Sequence, residues 1–275
     1  MKYELLIIGC GEIGTSLIDG WLNKSKQFYK KIYRINVLEN DLKRENLLKK
    51  KYKKKIYFID VDKIKTIKKK FKYVFLSFKP KNLNYNLNLY KNLFDKNTIF
   101  YSVLAGKKLL DIQNFFPVNK NIIRLMLNTP VSVNKGTIIF YSLKKKINQN
   151  ELFLLNLIGN IYKLKNERFF NLITAIVGTG PAYFYYLLES MEKTAISHGL
   201  DKSFSKQILK ATYVGTAKMI SNIEKNFNDL RKDVTSKGGT TEAAIKRLKK
   251  NNFQKLIYNS IKDSIKKAKS LGEKK

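Results

Sequence analysis

The chain has 275 residues, 44% of them hydrophobic, enough to build a core in one or two domains. Cys10 is the only cysteine, which excludes an intramolecular disulfide, a four-thiol metal site and a CxxC redox motif; no metal site is expected. The net charge of +34 invites a nucleic-acid reading, but only Arg34, Arg44, Arg124, Arg168, Arg231 and Arg247 are arginines and the lysines are dispersed. Without a zinc-finger or basic-zipper pattern, solvated lysines and no specific nucleic acid are the expectation. No apolar run reaches the length of a membrane span, and the start, MKYELLIIGCGEIG, does not read as a secretory leader. A cytoplasmic protein is expected.

Short apolar runs recur over residues 1–164: Leu5–Ile8, Ile32–Leu38, Ile56–Ile59, Tyr73–Phe78, Thr98–Val103, Ile122–Leu125 and Thr137–Tyr141. Lysine-rich stretches of helical length separate many of them. That alternation predicts an α/β domain with a mostly parallel sheet covered on both faces. From about Asn166 the strand-like runs vanish. Phe184, Leu187, Leu188, Met191 and Ala195 recur at helical spacing, as do Phe204, Ile208, Ala211, Gly215 and Met219. Gly199 is placed to end the first of these helices, and Asp201 or Ser203 to cap the second. Residues 165–275 are therefore expected to form an all-helical domain.

Leu5-Leu6-Ile7-Ile8 leads into Gly9-Cys10-Gly11-Glu12-Ile13-Gly14, and a helical stretch follows to about Leu22. A GxGxxG that follows a strand and opens a helix is the dinucleotide-binding fingerprint of a Rossmann-type domain. Gly9 permits the tight turn, Gly11 lets the backbone approach a pyrophosphate, and Gly14 lets helix and strand pack closely. The free N–H groups of the first helical turn, which holds Glu12 and Ile13, bind the phosphates. Glu12 puts a negative charge beside them. The second strand ends at Glu39, whose carboxylate suits the ribose 2′-hydroxyl of NADH. Lys43 and Arg44 lie just beyond and suit the 2′-phosphate of NADPH, so both cofactors stay open.

Three further segments sit at element boundaries. VFLSFKP carries Ser77 and ends at Lys79-Pro80, and RLMLNTP ends at Asn128-Thr129-Pro130. Both are predicted to follow strands, and a doubly wound sheet binds its ligand outside the carboxyl ends of its strands. VGTGPAYFYYLLE places Gly178, Gly180 and Pro181 at the start of a long helix. Much later, VTSKGGTTEAAIKRL sets Gly238 and Gly239 among hydroxyl residues ahead of a helical stretch. Paired glycines there present N–H groups in an anion-binding concavity. A flexible turn with a threonine cap accounts for the same residues. The single histidine, His198, falls at a helix end and is expected to serve there or at the surface.

These segments resemble the pyrroline-5-carboxylate reductase family nearly end to end. The matching stretches are GCGEIG (9–14), FKP (78–80), SVLAG (102–106), RLMLNTP (124–130) with Gly136, GTGPAY (178–183), GTAKM (215–219) and LRKDVTSKGGTTEAAI (230–245). The last is the most specific, because Rossmann dehydrogenases in general lack it. The resemblance implies reduction of 1-pyrroline-5-carboxylate to L-proline with NADPH or NADH, the last step of proline biosynthesis. It implies a homodimer through an intertwined helical dimerisation domain, often in larger rings of dimers.

By the same resemblance, Ser236, Gly239, Thr240 and Thr241 hold the substrate carboxylate, brought to the mouth of the Rossmann crevice by the helical domain or by a partner subunit. Ser77, Lys79, Pro80, Ala105 and Gly106 join Gly9, Gly11, Glu12, Ile13, Gly14 and Glu39 around the cofactor. Thr241, Lys79 and Glu224 are the residues expected nearest the chemistry, with Glu224 matching an acidic position that faces the ring nitrogen. Lys237 stands where the family has proline, and Val177 where a serine is common. Two rival readings remain at this stage: a two-domain hydroxyacid or ketoacid dehydrogenase with a catalytic lysine, and a basic nucleic-acid-binding protein.

Overall fold

The computed structural model describes residues 2–117 and 119–273. The chain divides into two compact units, Met1–Gly180 with Asp263–Lys275, and Pro181–Lys262.

The first unit is built on eight strands: β1 (Tyr3–Ile8), β2 (Ile32–Leu38), β3 (Tyr57–Phe58), β4 (Tyr73–Leu76), β5 (Ile99–Ser102), β6 (Ile122–Leu127), β7 (Gly136–Tyr141) and β8 (Gly159–Lys163). They form one sheet in the order β3-β2-β1-β4-β5-β6-β7-β8. Strands buried on both faces read as continuous apolar runs, and the two-residue period sorts their side chains. Leu5 and Ile7 of β1 join one core with Trp21, Phe75 and Tyr101. Leu6 and Ile8 join the other with Val74, Leu76 and Phe100.

Helices α1 (Glu12–Asn23), α2 (Ser25–Phe28), α3 (Leu42–Tyr52) and, beyond the central strands, α6 (Gln149–Asn156) pack on the first face. The second is covered by α4 (Leu83–Tyr90) and α5 (Leu109–Gln113). Trp21 is fully buried, which contributes about 1.5–3 kcal/mol by apolar burial. Its indole N–H donates to the Leu154 carbonyl at 2.9 Å, joining α1 to α6.

The sheet is parallel except between β6 and β7. Only Asn128–Lys135 joins that pair, with a 3-10 turn over Thr129–Val133 and a left-handed Asn134 at φ 59°. This connection is too short for a crossover helix, so β7 runs antiparallel. From β1 the chain winds outward through β2 to β3, then returns to β4 beside β1. That reversal opens a crevice at the carboxyl ends of β1 and β4.

The short helix α7 (Phe170–Ile173) leads into one turn of π-helix over Thr174–Gly178. The C-terminal stretch of the chain also returns to the first unit. A Cβ on Gly272 would lie 2.2 Å from the Gly106 carbonyl oxygen, so the two backbones touch where no side chain fits.

Helices supply the second unit: α8 (Gly180–Ser197), α9 (Lys202–Asn222), α10 (Phe227–Asp233), α11 (Thr240–Lys250) and the first turns of α12 (Phe253–Glu273). Gly199, at φ 89°, follows α8, and the Asp201 carboxylate caps α9 by accepting the Phe204 amide at 2.8 Å. None of its described apolar side chains is buried; Phe184, Leu187, Met191 and Phe204 are all exposed. Among the described residues, no helix is long and apolar enough to cross a membrane.

Candidate active site

The crevice in the first unit is shaped by the turn after β1. Gly9 takes φ 77°, and a Cβ there would sit 2.7 Å from the Phe78 backbone. Only glycine meets both demands. The Gly9 amide donates to Leu38 O at 2.8 Å, and its carbonyl accepts the Ser77 hydroxyl. The turn is thereby held between β2 and β4.

Gly11 precedes α1 with no side-chain cap on the helix, and nothing lies within 4 Å of a Cβ placed on it. The first amides of α1 lack intrahelical acceptors. With Gly11 leaving the approach open, they make a phosphate cradle. Gly14 lies where a Cβ would come 3.1 Å from Gly9 O and 3.3 Å from the Ser77 hydroxyl, so it lets helix and strand close up.

A cavity of about 520 Å³ opens from this turn, lined by Gly9, Gly11, Glu12, Glu39, Ser77 and Lys79 among the residues expected from the sequence. Ile13, Gly14, Pro80, Ala105 and Gly106 do not line it. Pro80 starts the 3-10 turn after Lys79, and Gly106 abuts Gly272. Asn40, Asn82, Asn86 and Tyr90 also border the cavity, and nothing in the spacing pointed to them. Asn86 is 2% exposed, and its Oδ1 is buried without a hydrogen-bond partner, an acceptor left for a ligand donor. Size, open backbone and spare acceptor fit a dinucleotide.

Glu39 accepts the Cys10 amide at 2.7 Å and the Asp41 amide at 3.0 Å. Glu12 faces the Arg44 guanidinium at 3.1 Å and is largely solvated. Burial pushes the Cys10 thiol up to about 12, so it stays protonated and unreactive at neutral pH.

In the second unit, the loop from Val234 to Gly239 leads into α11. Gly238 takes φ 75° and its amide donates to Glu242 Oε2 at 2.9 Å. Gly239 caps α11, and its amide donates to Ser236 O at 3.2 Å. A Cβ there would lie 2.6 Å from the Ser236 hydroxyl. Helix geometry leaves the amides of Thr240, Thr241 and Glu242 without intrahelical acceptors. Ser236, Gly239, Thr240 and Thr241 thus meet at one helix start.

The sequence reading missed Glu242. A glutamate three residues after a helix cap is the capping-box spacing and was the available signal. Glu224 is exposed in the segment between α9 and α10. Exposed His198 lies at the end of α8, its Nδ1 2.9 Å from Thr194 O.

A glycine turn at the carboxyl end of β1, over a doubly wound sheet, defines a Rossmann-type nucleotide-binding protein. Residues 167–271 match the family described as pyrroline-5-carboxylate reductase dimerisation. The chain is 34% identical over 204 residues to pyrroline-5-carboxylate reductase 2 of Bacillus subtilis, covering 73% of this chain and 72% of that protein. It is 31% identical over 200 residues to pyrroline-5-carboxylate reductase of Glycine max, covering 72% and 73%. The structure of Plasmodium falciparum pyrroline carboxylate reductase with NADP bound shares the fold, with a TM-score of 0.82 at 22% identity over 98% of each chain. This chain belongs to the pyrroline-5-carboxylate reductase family, a family of oxidoreductases.

Proposed function

We propose that the chain reduces 1-pyrroline-5-carboxylate to L-proline with NADH or NADPH, the last step of proline biosynthesis, in the cytoplasm. The observation that carries this reading is the Ser236–Thr241 loop. It gathers two hydroxyl-bearing threonines, a serine and open amides at one helix start, which is the chemistry a small carboxylate needs. Lys237 adds a positive charge beside it.

A bound nicotinamide supplies the hydride. The imine nitrogen takes its proton from solvent, so the electrophile is an iminium carbon, and the C=N bond becomes a C–N single bond as the nitrogen keeps the electron pair. Such a reaction needs placement more than strong acid catalysis. The Gly11 turn and the first amides of α1 hold the pyrophosphate, with Glu39 at the ribose and Lys79 at the crevice edge. Ser236, Gly239, Thr240 and Thr241 hold the substrate carboxylate, and Thr241 offers its hydroxyl as a hydrogen-bond partner to the substrate. Glu224 takes the acidic role beside the imine nitrogen.

The exposed apolar faces of α8 and α9 support a homodimer. Helices that bury none of their described apolar side chains need a partner surface, and a second copy supplies a matching one.

The test is a split of binding constants. Thr241→Ala is expected to raise the KM for pyrroline-5-carboxylate about tenfold or more while leaving nucleotide affinity unchanged. Equal loss of both would remove the loop from the substrate site.

A further inference from the structure

Resting on the reading above, we propose that this chain selects NADH over NADPH, and that Glu39 sets the choice. Glu39 follows β2 and lines the same cavity as Gly9 and Gly11 of the glycine turn. Its position is fixed. One carboxylate oxygen accepts the Cys10 amide at 2.7 Å and the other the Asp41 amide at 3.0 Å. Each oxygen keeps a lone pair, which suits the two hydroxyl donors of an adenosine ribose. A 2′-phosphate at that place brings only acceptors and about −1.5 to −2 charges, and meets repulsion instead.

Arg44, the cation that follows Glu39 most closely in the cavity lining, is already paired. Arg44 donates from Nε to Cys10 O at 3.0 Å and from one terminal nitrogen to the Thr15 hydroxyl at 2.8 Å. Its other terminal nitrogen pairs with Glu12 at 3.1 Å. Lys43 does not line the cavity. The start of α3 is a further place for a phosphate, but Asp41 already accepts the Lys43 and Arg44 amides there, at 2.9 and 3.1 Å. In a chain of net charge +34, the carboxylates Glu12, Glu39 and Asp41 outnumber the cations Arg44 and Lys79 around this one cavity.

The experiment titrates the full-length protein calorimetrically with ADP-ribose and with 2′-phospho-ADP-ribose, then compares turnover of pyrroline-5-carboxylate with NADH and NADPH. ADP-ribose is expected to bind about tenfold more tightly or better, with the same order in kcat/KM. Glu39→Gln keeps an acceptor for the Cys10 amide and removes the charge, so it should narrow the ratio by strengthening 2′-phospho-ADP-ribose. Equal or reversed affinities in the wild-type protein, with turnover intact, overturn the selectivity and leave the proposed function standing. Binding of neither compound, with no turnover, overturns both.

Discussion

The Glu242 carboxylate accepts the Gly238 amide at 2.9 Å and pairs with Lys246 at 3.2 Å, so a side chain of α11 reaches back to fix the glycine loop in front of it. The Gly238 amide, and then Lys246, hold this carboxyl below its ordinary value. A carboxyl depressed in the folded state orders the loop fully above the ordinary glutamate value, about 4.3, and loses that effect as pH falls through the lowered one. Glu242→Ala should raise the KM for pyrroline-5-carboxylate several-fold at neutral pH with nucleotide affinity unchanged. Glu242→Gln, which still offers an acceptor, should recover part of the loss. Steady-state kinetics and nucleotide titration check both, and an unchanged KM in the alanine variant contradicts the tether.

The two glycines of the nucleotide turn are expected to fail in different ways. Gly11 has open space where a side chain would grow, so Gly11→Val should change folding stability by no more than about 1 kcal/mol while abolishing nucleotide binding. Gly9 combines φ 77° with a 2.7 Å overlap on Phe78, so Gly9→Ala should cost about 2 kcal/mol or more before any ligand is added. Urea unfolding beside a binding titration separates the two effects.

Arg124 on β6 is buried, pairs with Glu167 at 2.7 Å, and lies over the Phe170 ring with its guanidinium 3.9 Å from the centroid. Glu167 also accepts the Leu109 amide at 2.7 Å, at the start of α5. Removing only the carboxylate leaves a buried, unpaired cation, so Glu167→Ala should cost about 3–5 kcal/mol. Arg124→Met removes the charge and keeps apolar volume, and should cost less. Urea midpoints test that order, and a larger loss in the methionine variant contradicts it.

Seven of the eight strands were legible as apolar runs; burial in the sheet writes most of them so, whereas the edge strand β3 carries an exposed Tyr57 and is marked by its apolar neighbours Ile56 and Ile59. β8 was not: in Gly159–Lys163 only Ile161 packs against the core, and the segment is half solvated. The direction of β7 was hidden as well, because a short connection, not a residue pattern, turns it. The glycine turn and the caps at Gly199 and Asp201 could be read because their demands are local. Glu39 on Cys10, Glu242 on Gly238 and the unpartnered Asn86 could not, since each depends on where a side chain reaches once the backbone is folded.

The account rests on a hydride passing from nucleotide to a cyclic imine, and the most direct measurement is the absorbance of NADH or NADPH with folded protein. The expected trace is flat until 1-pyrroline-5-carboxylate is added, then falls in step with the L-proline formed. Protein that binds the nucleotide yet leaves both cofactors unconsumed in the presence of that substrate would contradict it.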